Sequence, residues 1–431
     1  MDFLTANDRV GEYPDSYYAA TATPLDAFPA ARGDLSCDIC VIGGGFMGLS
    51  TALHLAEQGY QVTLVEAQRV GFGASGRNGG QVSGGQRLHQ DDLEELVGKD
   101  LARKLWGLSQ ESVDVLRGLD QKYDTGAGWA AGVIEADHRA RFVPHTHAYV
   151  DKLNTEYGYD KIRKLDRDEL YDLCRSDAYH GGAIDMGGGH IHPLRFALGL
   201  ARACRDLGVT IYEQTRVTRV EEGEPAVVHT DVATIRARYV VMGCNGYLGR
   251  MQERVAARVM PINNFIIATE PLADPELVMK GNHCVADSKY VINYFRLSED
   301  NRMLFGGGES YGYKFPSDIE GVVRKAMAQI FPQLNGIRVD YAWGGTLGIT
   351  MNRLPHVERI TGNILSLSGF SGHGVALATF AGKVAAEAIA GQAEKFDIMA
   401  SVPSPRFPGG AALRHPLLVL GMLWFGLKDR F

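Results

Sequence analysis

The feature that most constrains this chain's fold lies near its start, where Leu35-Ser-Cys-Asp-Ile-Cys-Val-Ile-Gly-Gly-Gly-Phe-Met-Gly48 is followed by Gln61-Val-Thr-Leu-Val-Glu66. The order is strand, glycine turn, helix (46–58), Gly59 stop and acid-tipped second strand, a βαβ unit within about 30 residues. In the spacing Gly43-x-Gly45-x-x-Gly48 the glycines serve in turn a tight turn, close approach of backbone to a pyrophosphate, and close packing of helix on strand. The helix N-terminus then offers free N–H groups and a favourable dipole to phosphate. Glu66, 18 residues after Gly48, stands where a carboxylate accepts hydrogen bonds from ribose hydroxyls. An α/β chain with a Rossmann-like dinucleotide domain is predicted.

At 431 residues and 45% hydrophobic content, the chain has material for two domains with sizeable cores. The net charge of -7 provides no basic field for a polyanion, which excludes nucleic acid as the partner. Six cysteines are scattered, and the first thirty residues lack the basic start and apolar core of a secretory signal, so a reducing cytoplasm is expected. Cys37 and Cys40 form a CxxC inside the first strand. With no second CxxC to complete a metal site, they read as core residues. His190 and His192 share a strand face but lack a third ligand at a recognisable spacing, so no metal is expected. The apolar run Pro416 to Leu427 has 12 residues, too few for the ~20 that span a bilayer. It reads as packing on the protein, joining a partner, or making peripheral membrane contact with Trp424 and Lys428 at the edge.

Residues 1–33 read as an extended arm. The dinucleotide-binding domain is expected to be discontinuous over 34–90, 181–250 and 345–395, with a substrate domain over 91–180 and 251–344 and a tail over 396–431. After Glu66, the loop Arg69 to Gly85 carries seven glycines and buries almost no side chain of its own, which suits close approach of backbone to a ligand. Residues 91–175 have helical periodicity, and a helix follows Pro193 and stops at Gly208. Thr210 to Val220 and Thr234 to Gly243 read as a strand pair. From 250 to 340 the pattern is β-rich, with a hairpin of Tyr290–Leu297 and Arg302–Gly307 around the turn 298–301. Near the end, Asn363 to Ser368 is a strand, followed by the turn Gly369-Phe-Ser-Gly-His-Gly374 and a helix to Ile389. A second helix N-terminus can thus face the same ligand.

One GxGxxG and two glycine turns do not describe a simple NAD dehydrogenase, and a plain NAD(P)-binding module fits less well for the same reason. Through Gly73-Ala-Ser-Gly-Arg-Asn-Gly-Gly-Gln81, Gly189-His-Ile-His-Pro-Leu194, Ala268-Thr-Glu-Pro-Leu272, Gly369-Phe-Ser-Gly-His-Gly-Val375 and Tyr17-Tyr-Ala-Ala-Thr-Ala22, the chain resembles the D-amino-acid-oxidase-like family of FAD flavoproteins. Its branch is that of glycine oxidase and monomeric sarcosine oxidase, nearest to γ-glutamylputrescine oxidase-type proteins. The resemblance runs from about residue 35 to 392. It implies the glycine/D-amino-acid oxidase fold: a Rossmann-like domain and an α+β substrate domain built on an antiparallel sheet. It implies FAD bound extended, with Gly43, Gly45 and Gly48 at the pyrophosphate, Glu66 on the ribose and Val217 at the adenine. Ser75, Asn78, Gly79 and Gly80 would line the flavin, and Gly372, His373 and Gly374 would close over its pyrimidine end. Sarcosine oxidases tether flavin through a cysteine, which the stretch 331–368 lacks, so noncovalent FAD is expected. The lysine they hold over the flavin is absent from Arg302 to Gly306.

The implied reaction is oxidation of a small-molecule amine, γ-glutamylputrescine or a related polyamine or amino-acid derivative. Hydride passes to flavin, the imine is hydrolysed, and O₂ becomes H₂O₂. Two rivals keep the flavin: a dehydrogenase feeding a quinone or carrier protein, and a flavin-bearing subunit without activity of its own. Tyr294 and Arg296 alternate with Phe295 and share a face, where an aromatic covers an apolar stem and a guanidinium grips a carboxylate. Trp343 is a third lining candidate, and His373 is the catalytic candidate by its place in the turn.

Overall fold

The computed structural model describes residues 2–310 and 312–410. The apolar segment 415–428 lies outside the described residues, and no helix among those described is long and apolar enough to cross a membrane.

Two sheets organise the chain. The main path of the first runs His356–Thr361, Ile364–Ser368, Ala233–Met242, Gly33–Ile42, Val62–Val65, Thr210–Tyr212. From Ile364–Ser368 to Thr210–Tyr212 all neighbours are parallel. The opening strand is central and pairs in register with both Ala233–Met242 and Val62–Val65. Its last four residues, Ile39 to Ile42, are buried, as expected for a strand covered on both faces. Helices Phe46–Glu57, Pro193–Asp206 and Gly374–Ile389 share one core. The first and last pack so closely that a Cβ on Gly382 would lie 2.4 Å from the Met47 carbonyl oxygen. That contact brings two helix N-termini to the same side of the molecule.

The second sheet runs Val339–Ile349, Met260–Pro271, Arg302–Ser310, Tyr294–Leu297, Cys284–Asp287, Ala130–Ala136, Gly182–His190, Gln81–Val82. Along this path every pairing is antiparallel except Cys284–Asp287 with Ala130–Ala136. Helix Ile319–Ile330 backs it through Val323, Met327 and Ile330. The sheets do not follow the expected cuts at 90, 181 and 345, because Gln81–Val82, Gly182–His190 and all of Val339–Ile349 belong to the second sheet.

Three local expectations need correction. The helical stretch 91–175 is interrupted by strands Ala130–Ala136 and Ile162–Leu165, whose pairing with Gly182–His190 overrides local propensity. The single strand expected over 210–220 is two, Thr210–Tyr212 and Val217–Glu221, separated where Gln214 takes a left-handed φ of 48°. The first joins the parallel sheet. The second pairs with Ala226–Thr230, which in turn pairs with Ala233–Met242. In the hairpin, the strand starts at Tyr294 rather than Tyr290, because buried Asp287 accepts hydrogen bonds from the Asn293 backbone and side-chain amides at 2.9 and 2.7 Å and curls the chain between them.

The N-terminal arm contains one short helix, Tyr17–Thr21, and crosses both sheets. Gln68 Nε2 donates to the Leu4 carbonyl at 2.7 Å, and Gln68 Oε1 accepts from Gly11 N at 2.8 Å. Further along, Asn7 donates to the Tyr313 carbonyl and accepts from Phe315 N, at 2.8 and 2.7 Å. Cys40 is fully buried and Cys37 half-buried, and all six cysteines are free thiols.

Candidate functional site

Two cavities of about 820 and 550 Å³ share the wall residue Ala74. The larger opens at the carboxyl ends of the parallel strands, against Ile42, Val65 and Gly243, where open α/β sheets place ligands. Gly43 has a φ of 108°, and a Cβ there would lie 2.8 Å from the Gly243 carbonyl oxygen. At Gly48 a Cβ would lie 1.9 Å from the Gly43 carbonyl oxygen, so helix and turn meet without room for a methyl group. Gly45 lines the cavity and contributes no side-chain cap to helix Phe46–Glu57. Instead, Ser75 Oγ accepts from Phe46 N at 2.9 Å. Glu66 lies in the wall as expected, its carboxylate accepting from Gly44 N at 2.6 Å and Gln68 N at 2.9 Å. Burial raises its pKa against those donors. A carboxylate has about four acceptor sites, so capacity remains on the cavity side. Val217 is buried at a strand start and lines the same cavity.

The smaller cavity has the second sheet as floor, with Asn264, Ile266 and Tyr294, and the glycine loop as roof, with Asn78 and Gly79. Tyr294 donates to Asn264 Oδ1 at 2.5 Å. Its ring is wedged between backbones, since a Cβ on Gly79 or Gly306 would lie 2.7 or 2.1 Å from it. Asn78 shapes the loop, donating to the Ala74 and Ser75 carbonyls at 3.0 Å each and accepting from Gly80 N at 2.7 Å. Gly80 does not line either cavity. Its φ is 76° and a Cβ would strike the Ile191 carbonyl oxygen at 2.1 Å, so it serves loop packing.

The third side is the start of helix Gly374–Ile389. Gly372 and His373 line the cavity, and Gly374 opens the helix without a side-chain cap. A Cβ on Gly374 would lie 2.9 Å from Phe370 Cβ, which keeps the turn compact. His373 Nε2 is buried with no hydrogen-bond partner among the described residues. Burial, then the Arg87 charge, lower its pKa to about 4, so the ring is neutral at physiological pH.

Two expected lining residues are elsewhere. Arg296 is 5% exposed and does not face the cavity of Tyr294. Its Nε donates to the Gly79 carbonyl at 2.8 Å, and its Nη atoms donate to the Leu297 and Ile191 carbonyls and the Tyr18 hydroxyl at 3.1–3.2 Å. It is a buried clamp joining glycine loop, second sheet and arm. Trp343 is 2% exposed, donates Nε1–H to the Arg77 carbonyl at 3.0 Å and packs edge-on against Tyr18. It supports the loop from below. His190 bonds the Asn282 carbonyl, and His192 accepts from Arg195 N as a helix cap. No group of three or more metal-ligating side chains occurs among the described residues.

The smaller cavity also holds charged residues that sequence reasoning missed: Arg87, Lys289, Glu309 and Arg353. They come from separate segments, and none sits in a motif. The one local irregularity is the φ of 64° at Arg353, which a sequence does not display.

These features fit an extended dinucleotide carrying a ring system. The cavities share the wall residue Ala74, a helix begins at each without a cap from its own N-cap side chain, and the orphaned His373 nitrogen sits where the second helix starts.

The FAD dependent oxidoreductase (DAO) family matches residues 38–388. The chain is 39% identical over 424 residues to γ-glutamylputrescine oxidoreductase of Escherichia coli, covering 97% of this chain and 99% of that protein. It is 37% identical over 417 residues to a probable oxidoreductase, OrdL, of Rhizobium meliloti, covering 96% and 97%. Among solved structures, glycine oxidase from Geobacillus kaustophilus superposes with a TM-score of 0.75 at 19% identity, over 86% of this chain and 99% of that one, a likeness of fold.

Proposed function

The chain belongs to the family of FAD dependent oxidoreductases, and from that premise we propose that it oxidises the C–N bond of an amine, with γ-glutamylputrescine as the first substrate to test. The observation that carries this reading is the pair of neighbouring cavities that share Ala74, one walled in part by glycines and Glu66, the other by Tyr294, Asn264 and charged side chains. A relative named for γ-glutamylputrescine at 39% identity across nearly the whole chain supports the choice of substrate.

In this reading the first sheet and its helices form the FAD-binding part, and the second sheet forms the substrate part. Gly43, Gly45 and the start of helix Phe46–Glu57 take the pyrophosphate, Glu66 the ribose, and the backbone at Val217 the adenine. Ser75, Asn78, Gly79 and Gly80 shape the loop along the flavin, and Gly372, His373 and Gly374 close its pyrimidine end. FAD held there would supply a hydride acceptor for the amine-bearing carbon, the imine being hydrolysed by water to an aldehyde and a released amine or ammonia and the electrons going to O₂ to give H₂O₂. The chain's own residues bind and orient. Tyr294, fixed by Asn264 and the two glycines, covers the apolar stem of the amine. His373, neutral and with a free Nε2, offers a hydrogen bond at the reacting end, while the helix behind it supplies positive potential. No cysteine lines the smaller cavity, which supports noncovalent FAD.

The test is anaerobic mixing of the holoenzyme with γ-glutamylputrescine while the visible flavin band is followed, then admission of air. Rapid bleaching followed by recovery with stoichiometric peroxide is expected. Recovery only with a quinone would replace O₂ as acceptor. A protein that stays yellow across a panel of amines would end the proposal.

A further inference from the structure

Among the described residues lining the smaller cavity, four are lysine or arginine, Arg77, Arg87, Lys289 and Arg353, and one is acidic, Glu309. Arg77 is already committed. Its Nη1 donates to both Asp8 oxygens at 3.0 and 3.1 Å, and its Nε donates to the Phe72 carbonyl at 2.7 Å. Arg353 makes one long bond, Nη2 to the Tyr290 hydroxyl at 3.3 Å, with its guanidinium 5.8 Å from that ring. Arg87 is half-buried and has no hydrogen-bond or ion-pair partner among the described residues. The carboxylates whose charge reaches it are Glu135 and Glu309, and Glu135 already faces His89 Nε2 at 3.6 Å.

A guanidinium has five donors and no acceptor, and leaving such a group unpaired in a partly buried site is costly. A second observation is independent of the first. Arg353 holds a left-handed φ of 64°, unfavourable for a residue with a Cβ, in a turn tied by Thr350. The Thr350 carbonyl accepts from Arg353 N at 3.3 Å, and its hydroxyl donates to the Leu354 carbonyl at 2.7 Å. This turn places a second guanidinium in the cavity lining that holds Arg87 and Tyr290. Two planar forks on one wall match a carboxylate.

We infer that the smaller cavity is built to hold a carboxylate borne at a distance from the reacting amine, with Arg87 and Arg353 as its ligands, so the substrate class is an amine linked to an acidic head group. This rests on the amine-oxidation reading above and narrows it. The carboxylate lies at the Arg87–Tyr290–Arg353 wall and the reacting amine toward Tyr294 and Gly79. A free diamine, doubly cationic, meets an excess of positive charge and is rejected, which is specificity by repulsion as well as attraction.

The experiment uses holoenzyme, wild type, Arg87→Met and Arg353→Met, with three amines: γ-glutamylputrescine, its decarboxylated counterpart 4-aminobutanoylputrescine, and putrescine. Wild type is expected to favour the carboxylate-bearing amine by about a hundredfold or more in kcat/KM. Arg87→Met is expected to reduce that ratio at least tenfold, chiefly through KM, with flavin content and visible spectrum unchanged, and Arg353→Met to act in the same direction. Equal use of all three amines by wild type, or a ratio untouched by both variants, would overturn the inference. A fourth probe, γ-glutamylbutylamide, carries the same head group but lacks the terminal amine of the putrescine arm and is titrated by its perturbation of the flavin spectrum. Binding that weakens at least tenfold in Arg87→Met sustains the carboxylate site even if no amine reduces the flavin; failure to bind wild type refutes the site.

Discussion

The cavity of about 820 Å³ has one wall of backbone and glycines whose missing side chains are the design, whereas the cavity of about 550 Å³ takes its character from charged and aromatic side chains delivered by separate segments. One wall of the first is made by local chain geometry, within 24 residues from Gly43 to Glu66. The second exists only once both sheets are assembled, since Arg87, Lys289, Glu309 and Arg353 span most of the sequence. A wall of backbone recognises what many ligands share, and a wall of side chains recognises what distinguishes them.

Substitutions can break or sharpen this contrast. The largest effect is expected for Gly48→Ala, because its methyl would fall 1.9 Å from a backbone oxygen that has nowhere to go. A loss of about 2–3 kcal/mol in urea unfolding is expected, with purified protein largely free of flavin. A coloured protein of normal stability would mean the turn is less rigid than its geometry says.

Next comes Arg296→Met, which removes hydrogen bonds to the Gly79, Leu297 and Ile191 carbonyls. We expect about 2–3 kcal/mol lost in stability from the carbonyls left unpaired and a KM for the amine within about twofold of wild type among molecules that retain flavin. A large KM effect without loss of stability would restore Arg296 to the substrate wall.

A third prediction concerns acid. Burial lowers the pKa of both His190 and His192 to about 3, below the ~6.5 of an unfolded histidine. The stability each contributes is therefore present above pH ~6.5 and lost as pH falls toward 3, at up to about 1.4 kcal/mol per pH unit per residue. His192→Asn keeps an acceptor for Arg195 N and removes the titration, so its urea midpoint is expected to fall less between pH 6.5 and 4.5. Parallel profiles for variant and wild type would refute the assignment.

The smallest effect is expected for Tyr294→Phe, which deletes the bond to Asn264 while the ring stays between Gly79 and Gly306. About 1 kcal/mol is expected, read as a KM increase of roughly fivefold with flavin content unchanged. Loss of flavin instead would mean that the two cavities are not separable.

The same contrast explains what was legible in the sequence. The opening turn, the acid at Glu66 and the second glycine turn are local, and residue spacing alone carries their geometry. Tyr294 is on the floor as expected. Arg296, two residues on, lies about 6.6 Å farther along the strand, which takes its guanidinium beneath the Gly79 and Ile191 carbonyls, and an alternation rule cannot see that a wall ends between the two. Trp343 pairs opposite Ile266, on the floor strand itself, yet its indole turns under Arg77. Strands Ala130–Ala136 and Ile162–Leu165 were hidden for a related reason, because their partner Gly182–His190 lies beyond them in sequence and periodicity reports only near neighbours.

The N-terminal arm has a consequence for the order in which the molecule can be finished. Asp2, Phe3 and Leu4 line the larger cavity, yet Asn7 is anchored by residues 313 and 315, 306 and 308 positions away. On a growing chain Gln68 can hold Leu4 and Gly11 early, but the bonds that fix Asn7 between them wait until residue 315 has been made. The arm is a door hung early and latched late.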